Sequence, residues 1–258
     1  MNFASFSLSA PNLVIATAVH NGHDLRPDMS ALVQLDESTR LREEDPHTGT
    51  LARRFASNVV VHRSRFEIDL NREQDQAVYR TPDDAWGLQV WHRPLTPEEI
   101  AESLRLYDRF YVELSSVLDR LVAENGGFVL FDIHSYNHRR AGASGEPDPP
   151  EQSPVVNLGT GSLPEKWKPV AEAFVESMRA SILDGVPLDV RENVRFEGRQ
   201  VARWVHERYG DEGCALAIEL KKTFMDEWTG EFEADRLAEL GEALAASVDD
   251  VEQAWAQA

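Results

Sequence analysis

Short, wholly apolar runs rich in β-branched residues are the feature that most limits what this chain can fold into. Leu13-Val14-Ile15-Ala16-Thr17-Ala18-Val19 is the first of them. It shows almost no alternation of apolar with polar residues, so both faces of the strand it predicts need covering. That is the situation inside a parallel sheet flanked by helices. Gly127 to Ile133 and Ala215 to Leu220 repeat the pattern, and Asn58 to His62, Phe66 to Leu70 and Pro154 to Leu158 read as further strands.

Between these runs the apolar spacing becomes helical. Thr96 is an N-cap candidate before Pro97-Glu98-Glu99, and Leu104, Tyr107, Phe110, Tyr111, Leu114, Leu118 and Leu121 follow at helical intervals until Gly126 and Gly127. Pro164 to Leu183, Gly198 to Tyr209 and the stretch from Glu231 onward read the same way. In the last, Leu237, Leu240, Leu244 and Val248 face inward. Strands alternating with helices give an α/β fold, expected as a three-layer sandwich with a mixed, mostly parallel sheet. Residues 1–258 are read as one domain. Ala141 to Pro154, with its Gly, Ser, Pro and acidic residues, is expected to be a mobile surface loop.

Composition narrows the function. With 45 Asp and Glu against 26 Lys and Arg, the net charge is −19. Phosphate neutralisation needs a basic face, so nucleic acid is not an expected partner. The single cysteine, Cys214, excludes a disulfide framework and a thiolate zinc site. No apolar run reaches the roughly 20 residues of a membrane span, and Met1 to Ser5 lack the cationic start of a signal peptide. A cytoplasmic protein with no membrane partner is expected.

In open α/β sheets ligands sit beyond the carboxyl ends of the strands. There the chain places His20 and His23 after the first run, Asp132-Ile133-His134-Ser135 at the end of the Gly127 run, and Glu219 in the last. A catalytic zinc site takes three His or carboxylate ligands and keeps one position open. His20 and His134 are two candidates. The third is His23, three positions on, or Asp45 in Arg42-Glu43-Glu44-Asp45-Pro46, and Asp132 could orient a ligand imidazole. Each has a plainer reading. A strand-end His is more often a hydrogen-bonded loop residue, and a run such as Glu43-Glu44-Asp45 is more often a solvated face. From Arg53 to Arg72 there are five Arg against two acids, a local cationic patch suited to a small anionic substrate. The plainer alternative there is a surface salt-bridge ladder. Trp86, Trp91 and Trp167 read as core rather than as pocket walls.

These motifs together resemble the N-formylglutamate amidohydrolase family. Ser64-Arg65-Phe66-Glu67-Ile68-Asp69-Leu70-Asn71-Arg72 resembles its Ser-Arg-x-x-x-Asp-x-Asn-Arg signature. Leu130-Phe131-Asp132-Ile133-His134-Ser135 is similar to its Asp-x-His-Ser strand end, and Asn157-Leu158-Gly159-Thr160 to its Asn-Leu-Gly-Thr segment. Ala217-Ile218-Glu219-Leu220 with Thr223-Phe224-Met225-Asp226-Glu227 is similar to its C-terminal block. The matches run in family order from about His20 to Glu227. The resemblance implies a phosphorylase/hydrolase-like core related to zinc carboxypeptidases, and a metal-dependent hydrolase of the N-acyl amide of an acidic amino acid. It puts His20 and His134 on metal-binding histidines, Glu219 on the catalytic glutamate, and Asn71 and Arg72 on a pair that grips a substrate carboxylate, with Arg65 as helper.

Two departures matter. The family's Pro before the first His is Val19 here, and His23 stands where carboxypeptidases carry a ligand Glu. His23 and Asp45 therefore stay rivals for the third position. Zinc is the expected ion, with Ni, Co or Mn also suited to nitrogen and oxygen ligands. The runner-up readings are a carboxypeptidase-like or N-acyl-amino-acid deacylase acting on another substrate, and a non-catalytic binding domain.

Overall fold

The computed structural model describes residues 2–9 and 11–258. In chain order the elements are β1 (Ala4–Ser7), β2 (Val14–Ala18), α1 (Pro27–Ser30), α2 (Glu37–Glu43), α3 (Thr48–Ala52), β3 (Ser57–Val61) and α4 (Pro97–Asn125). There follow β4 (Phe128–Tyr136), β5 (Val156–Gly159), α5 (Lys168–Ala180), β6 (Ile182–Leu183), β7 (Val186–Pro187), β8 (Val190–Glu192), α6 (Gln200–Tyr209), β9 (Gly213–Lys221) and α7 (Ala234–Trp255).

The apolar runs form the centre of one seven-stranded sheet, ordered β1-β3-β2-β4-β9-β5-β8. β3, β2, β4 and β9 are mutually parallel, whereas β1 and β5 pair antiparallel with their inner neighbours. The sheet is mixed and mostly parallel, as expected. Side-chain alternation splits the core into two layers. Ala16, Phe131, Ile133, Leu216 and Ile218 pack with α3, α5 and α7, while Ile15, Phe128, Leu130 and Ala215 pack with α4 and α6. Helices cover both faces, giving three layers. A third apolar cluster, around Met29, Phe66, Tyr79 and Trp91, supports the long excursion between β3 and α4.

Local signals explain most element boundaries. Thr96 accepts from the Glu99 backbone N–H at 3.2 Å while Glu99 accepts from that of Thr96 at 2.7 Å, closing a capping box at the start of α4. Gly126 ends that helix at φ 78°.

Three expectations need correction. Phe66 to Leu70 is not a strand: the Glu67 and Ile68 amides donate back to the Ser64 carbonyl, making a turn. Its alternation is real, because Phe66, Ile68 and Leu70 all enter apolar clusters, but Glu67 and Asp69 are buried too and are satisfied by hydrogen bonds. The stretch 164–183 is not one helix. A 3₁₀ turn at Glu165–Trp167 precedes α5, and after Ser181 the chain enters the β6–β7 hairpin, where Asp184 and Gly185 both take positive φ. The acidic run Glu43-Glu44-Asp45 is not a solvated face, since all three residues are buried.

Candidate active site

Thr17 of β2 lies opposite Asp132 of β4, and His134 of β4 lies opposite Glu219 of β9. Thr17, Asp132, His134 and Glu219 therefore share the sheet face that carries α4 and α6, beyond the point where the apolar layer ends. His20 follows two residues after β2. The turn behind it is pinned twice. Asn21 accepts the Gly49 amide at the start of α3 at 2.8 Å, and Gly22 lies so close to the His62 backbone that a Cβ there would come within 2.2 Å of its carbonyl carbon. Only glycine fits that approach.

Asp45 reaches the same spot from the loop after α2. Its amide donates to the His20 carbonyl at 2.9 Å, and its own carbonyl accepts from the Thr48 hydroxyl at 2.6 Å. The Nδ1 atoms of His20 and His134 lie 3.4 and 3.1 Å from Asp45 Oδ2. Potential ligand atoms from these three buried residues all fall within 4.8 Å of one another. The outer face of each ring has its own carboxylate: His20 Nε2 is 2.7 Å from Asp69 Oδ1, and His134 Nε2 is 3.0 Å from Asp132 Oδ2. Thr17 in turn donates to the other Asp132 oxygen at 2.7 Å. Two imidazoles, each oriented from behind by an acid and aimed at a shared carboxylate, have the build of an ion-binding group.

The electrostatics follow from this crowding. Burial opposes charge on Asp45, but hydrogen bonds from His134 and His20 hold it below the usual carboxylate range. Asp69 is held down in the same way, chiefly by the Arg65 guanidinium beside it. For His134, burial is outweighed by Asp132, which raises it well above an ordinary imidazole. Glu219 goes the other way: burial, partly offset by His134 and reinforced by Asp45 and Asp132, pushes its carboxyl up to about 7. Lys222, fully buried behind the same loop, is pushed down to about 8, first by burial. Its ammonium donates to the Arg42 and Glu44 carbonyls at 2.5 and 2.7 Å.

His20, Asp45, His134, Glu219 and Lys222 line a narrow cavity of about 80 Å³, which Ser135 and Asn137 also line. Ser135 Oγ and Asn137 Oδ1 are buried without a hydrogen-bond partner, so they mark where polar atoms of a ligand would be met. A larger groove of about 460 Å³ adjoins the cavity and shares Asn71 and Arg199 with it.

Of the residues expected from sequence, the structure brings together His20, Asp45, His134 and Glu219. It does not bring His23 to them: that ring is held between Glu44, 2.5 Å from Nδ1, and Arg40, 2.9 Å from Nε2. Glu44 also accepts from Ser64, so His23, itself partly exposed, belongs to a different set of hydrogen bonds. The residues expected to grip a carboxylate, Arg65, Asn71 and Arg72, line the cavity and the adjoining groove, and each also has a partner within the protein. Arg65 reaches the cavity but is committed to Asp69 at 2.8 Å and to the Tyr79 hydroxyl. Asn71 accepts the Val201 amide at 3.0 Å and sets its NH₂ against His134. Arg72 stacks on Tyr79, with its guanidinium carbon 4.5 Å from the ring centre, and lines the groove. Trp91 and Trp167 are core, but Trp86 is exposed and walls the cavity. Sequence reasoning gave no role to Asp69, Lys222 or Arg199. For Asp69 a signal existed, since an acid between two arginines on a turn is a natural partner for a buried imidazole.

Fold and site together define an α/β sandwich whose central strands end in a His-Asp-His group able to hold an ion, beside a carboxylate able to carry a proton. The comparisons with known proteins sharpen that class. The chain belongs to the N-formylglutamate amidohydrolase family, whose model matches residues 13–225. The crystal structure of N-formylglutamate amidohydrolase from Ralstonia eutropha JMP134 aligns over 99% of both chains, with a TM-score of 0.77 at 17% identity. A gene product of Agrobacterium tumefaciens aligns over 93% of this chain and 92% of its own, with a TM-score of 0.66 and 17% identity. At that identity the two structures speak for the fold. No curated protein sequence matches the chain.

Proposed function

We propose that this protein is a metal-dependent amidohydrolase that cleaves the N-formyl amide of N-formyl-L-glutamate, giving formate and L-glutamate. The observation that carries the reading is the His20, Asp45, His134 group, with ligand atoms within 4.8 Å and each imidazole backed by its own carboxylate. Two nitrogens and one oxygen, without thiolate, fit zinc and leave a position open. His20, Asp45 and His134 would hold the ion, which when bound supplies Lewis acidity toward a carbonyl oxygen and a lowered pKa for water.

The chain's own residues supply the rest. Glu219 takes the proton of the attacking water on its carboxylate and returns it to the leaving nitrogen as the C–N bond breaks. A carboxyl pushed up to about 7 is suited to both halves of that exchange. Asp69 and Asp132 stand behind the two rings, 2.7 and 3.0 Å from their Nε2 atoms, and favour one orientation of each. Arg65, lining the cavity, supplies positive charge near the substrate's carboxylate.

Purified protein, assayed for bound metal by elemental analysis and for formate release with and without chelator, tests the proposal. About one zinc per chain and chelator-sensitive formate release is the expected result. Metal without formate release would sink the substrate assignment, and activity indifferent to chelator would sink the metal.

A further inference from the structure

We propose that Arg199 is the specificity-determining residue of this site, binding the side-chain carboxylate of the acidic substrate where the cavity opens into the groove. The inference rests on the amide-hydrolase reading above and names which group recognises the acid. Arg199 lines both the cavity over the His-Asp-His group and the adjoining groove. Every other cation around them has a carboxylate or carbonyl oxygen within 4 Å. Arg65 is 2.8 Å from Asp69, Arg72 3.4 Å from Asp69, Arg140 3.6 Å from Glu43 and Arg203 3.2 Å from Glu73, while Lys222 is spent on two carbonyls. The Arg199 guanidinium has no hydrogen-bond or ion-pair partner among the described residues.

Its backbone, by contrast, is pinned. Arg199 is the N-cap of α6, and Arg203 donates its amide to the Arg199 carbonyl at 3.0 Å. Just before it, Gly198 takes φ +92°, and its amide nitrogen lies 2.3 Å from where a Cβ on Gly159 would sit, so the end of β5 and the start of α6 touch backbone to backbone. Just after it, the Val201 amide is held by Asn71. A guanidinium without a partner on a fixed stretch of backbone is available to a carboxylate that enters between cavity and groove.

The substrate's geometry points the same way. The scissile amide and the α-carboxylate are attached to one carbon, so both stay in the narrow cavity beside Glu219 and Arg65. The side-chain carboxylate lies two methylenes further out and must leave that cavity. The groove is the adjoining space that shares walls with it.

The experiment compares wild type with Arg199→Gln and Arg199→Lys. Calorimetry measures binding of glutarate and L-glutamate, and steady-state kinetics compares N-formyl-L-glutamate with N-formyl-L-glutamine. Arg199 is exposed, so the variants are expected to fold, and thermal melts check this. Loss of one charge-assisted pair predicts binding of both acids weakened about tenfold in R199Q. For N-formyl-L-glutamate, KM should rise by a similar factor with kcat within about threefold, and the preference over the glutamine analogue should collapse. R199K should recover part of the affinity. Wild type that binds neither acid, or R199Q that binds them as wild type does, overturns the proposal. Formate release by wild type is read separately, so failure of the amide-hydrolase reading would show as acid binding without turnover.

Discussion

At the scale of single residues, the site matches most of its buried acids with a particular imidazole or guanidinium. Glu219 is the exception that chemistry needs, a carboxyl raised to about 7 because burial and two nearby acids outweigh His134. Glu219→Gln keeps the shape and removes the proton carrier, so kcat should fall by on the order of 10²–10⁴ while bound metal stays at the wild-type level. Retained kcat would remove Glu219 from the mechanism. Asp132 has a different job, 3.0 Å behind the His134 ring and itself fixed by Thr17. Asp132→Asn should weaken metal binding about 10–100-fold, the usual effect of losing an orienting acid. A competition titration with a chromogenic chelator would read it, and unchanged affinity would show that His134 needs no such support. His20, His134 and Glu219 were legible because strand ends are where α/β sheets put their chemistry. Asp45 was legible only as a rival to His23, because neither spacing nor charge reveals that a loop carbonyl and amide pair will carry it beside His20.

At the scale of elements, the central strands were legible because β2, β4 and β9 are apolar on both faces, a pattern few other structures demand. The edge strands β1 and β8 were not, since Ala4–Ser7 and Val190–Glu192 are short and partly exposed and carry no such signature. Asp184-Gly185 was a readable hairpin signal that the longer helical pattern concealed. The junction of α6 with β9 has its own pH dependence. His206 Nε2 accepts the Ala215 amide at 3.0 Å, and Nδ1 faces the Ser162 hydroxyl at 3.0 Å, so the ring must be neutral. Burial pushes its pKa down to about 4 from an ordinary 6.5. Between those values the unfolded chain binds the extra proton and the folded one does not. This contribution is therefore fully present above pH 6.5 and is lost as pH falls towards 4, by up to about 3 kcal/mol. Urea midpoints at pH 7 and pH 4.5 should show a smaller acid loss in His206→Gln than in wild type. An equal loss in both would show that the junction does not sense pH.

At the scale of the whole molecule, a chain of net charge −19 concentrates Asp45, Asp69, Asp132 and Glu219 at one end of its sheet. A divalent ion bound there would join two strands and a loop that are far apart in sequence, and it would have no such site in the unfolded chain. At a free concentration a hundredfold above Kd the gain is about 2.7 kcal/mol, or roughly 5–10 °C in Tm for a protein of this size. Calorimetric scans should show a melt lowered by chelator and restored by added zinc. A melt that ignores both would argue that the ion, if bound, contributes nothing to folding.

The tether from Lys222 to the carbonyls of Arg42 and Glu44 has a consequence for how such a site can change over time. Two of the three candidate ligands belong to a rigid frame, because the register of β2 on β4 sets where the histidines stand. The third rides on a jaw, the segment carrying Asp45, held in front by its own amide on the His20 carbonyl and from behind by one ammonium. Substitutions at residues 42–45 or at Lys222 would therefore move Asp45 relative to the two histidines while leaving the frame and its core untouched.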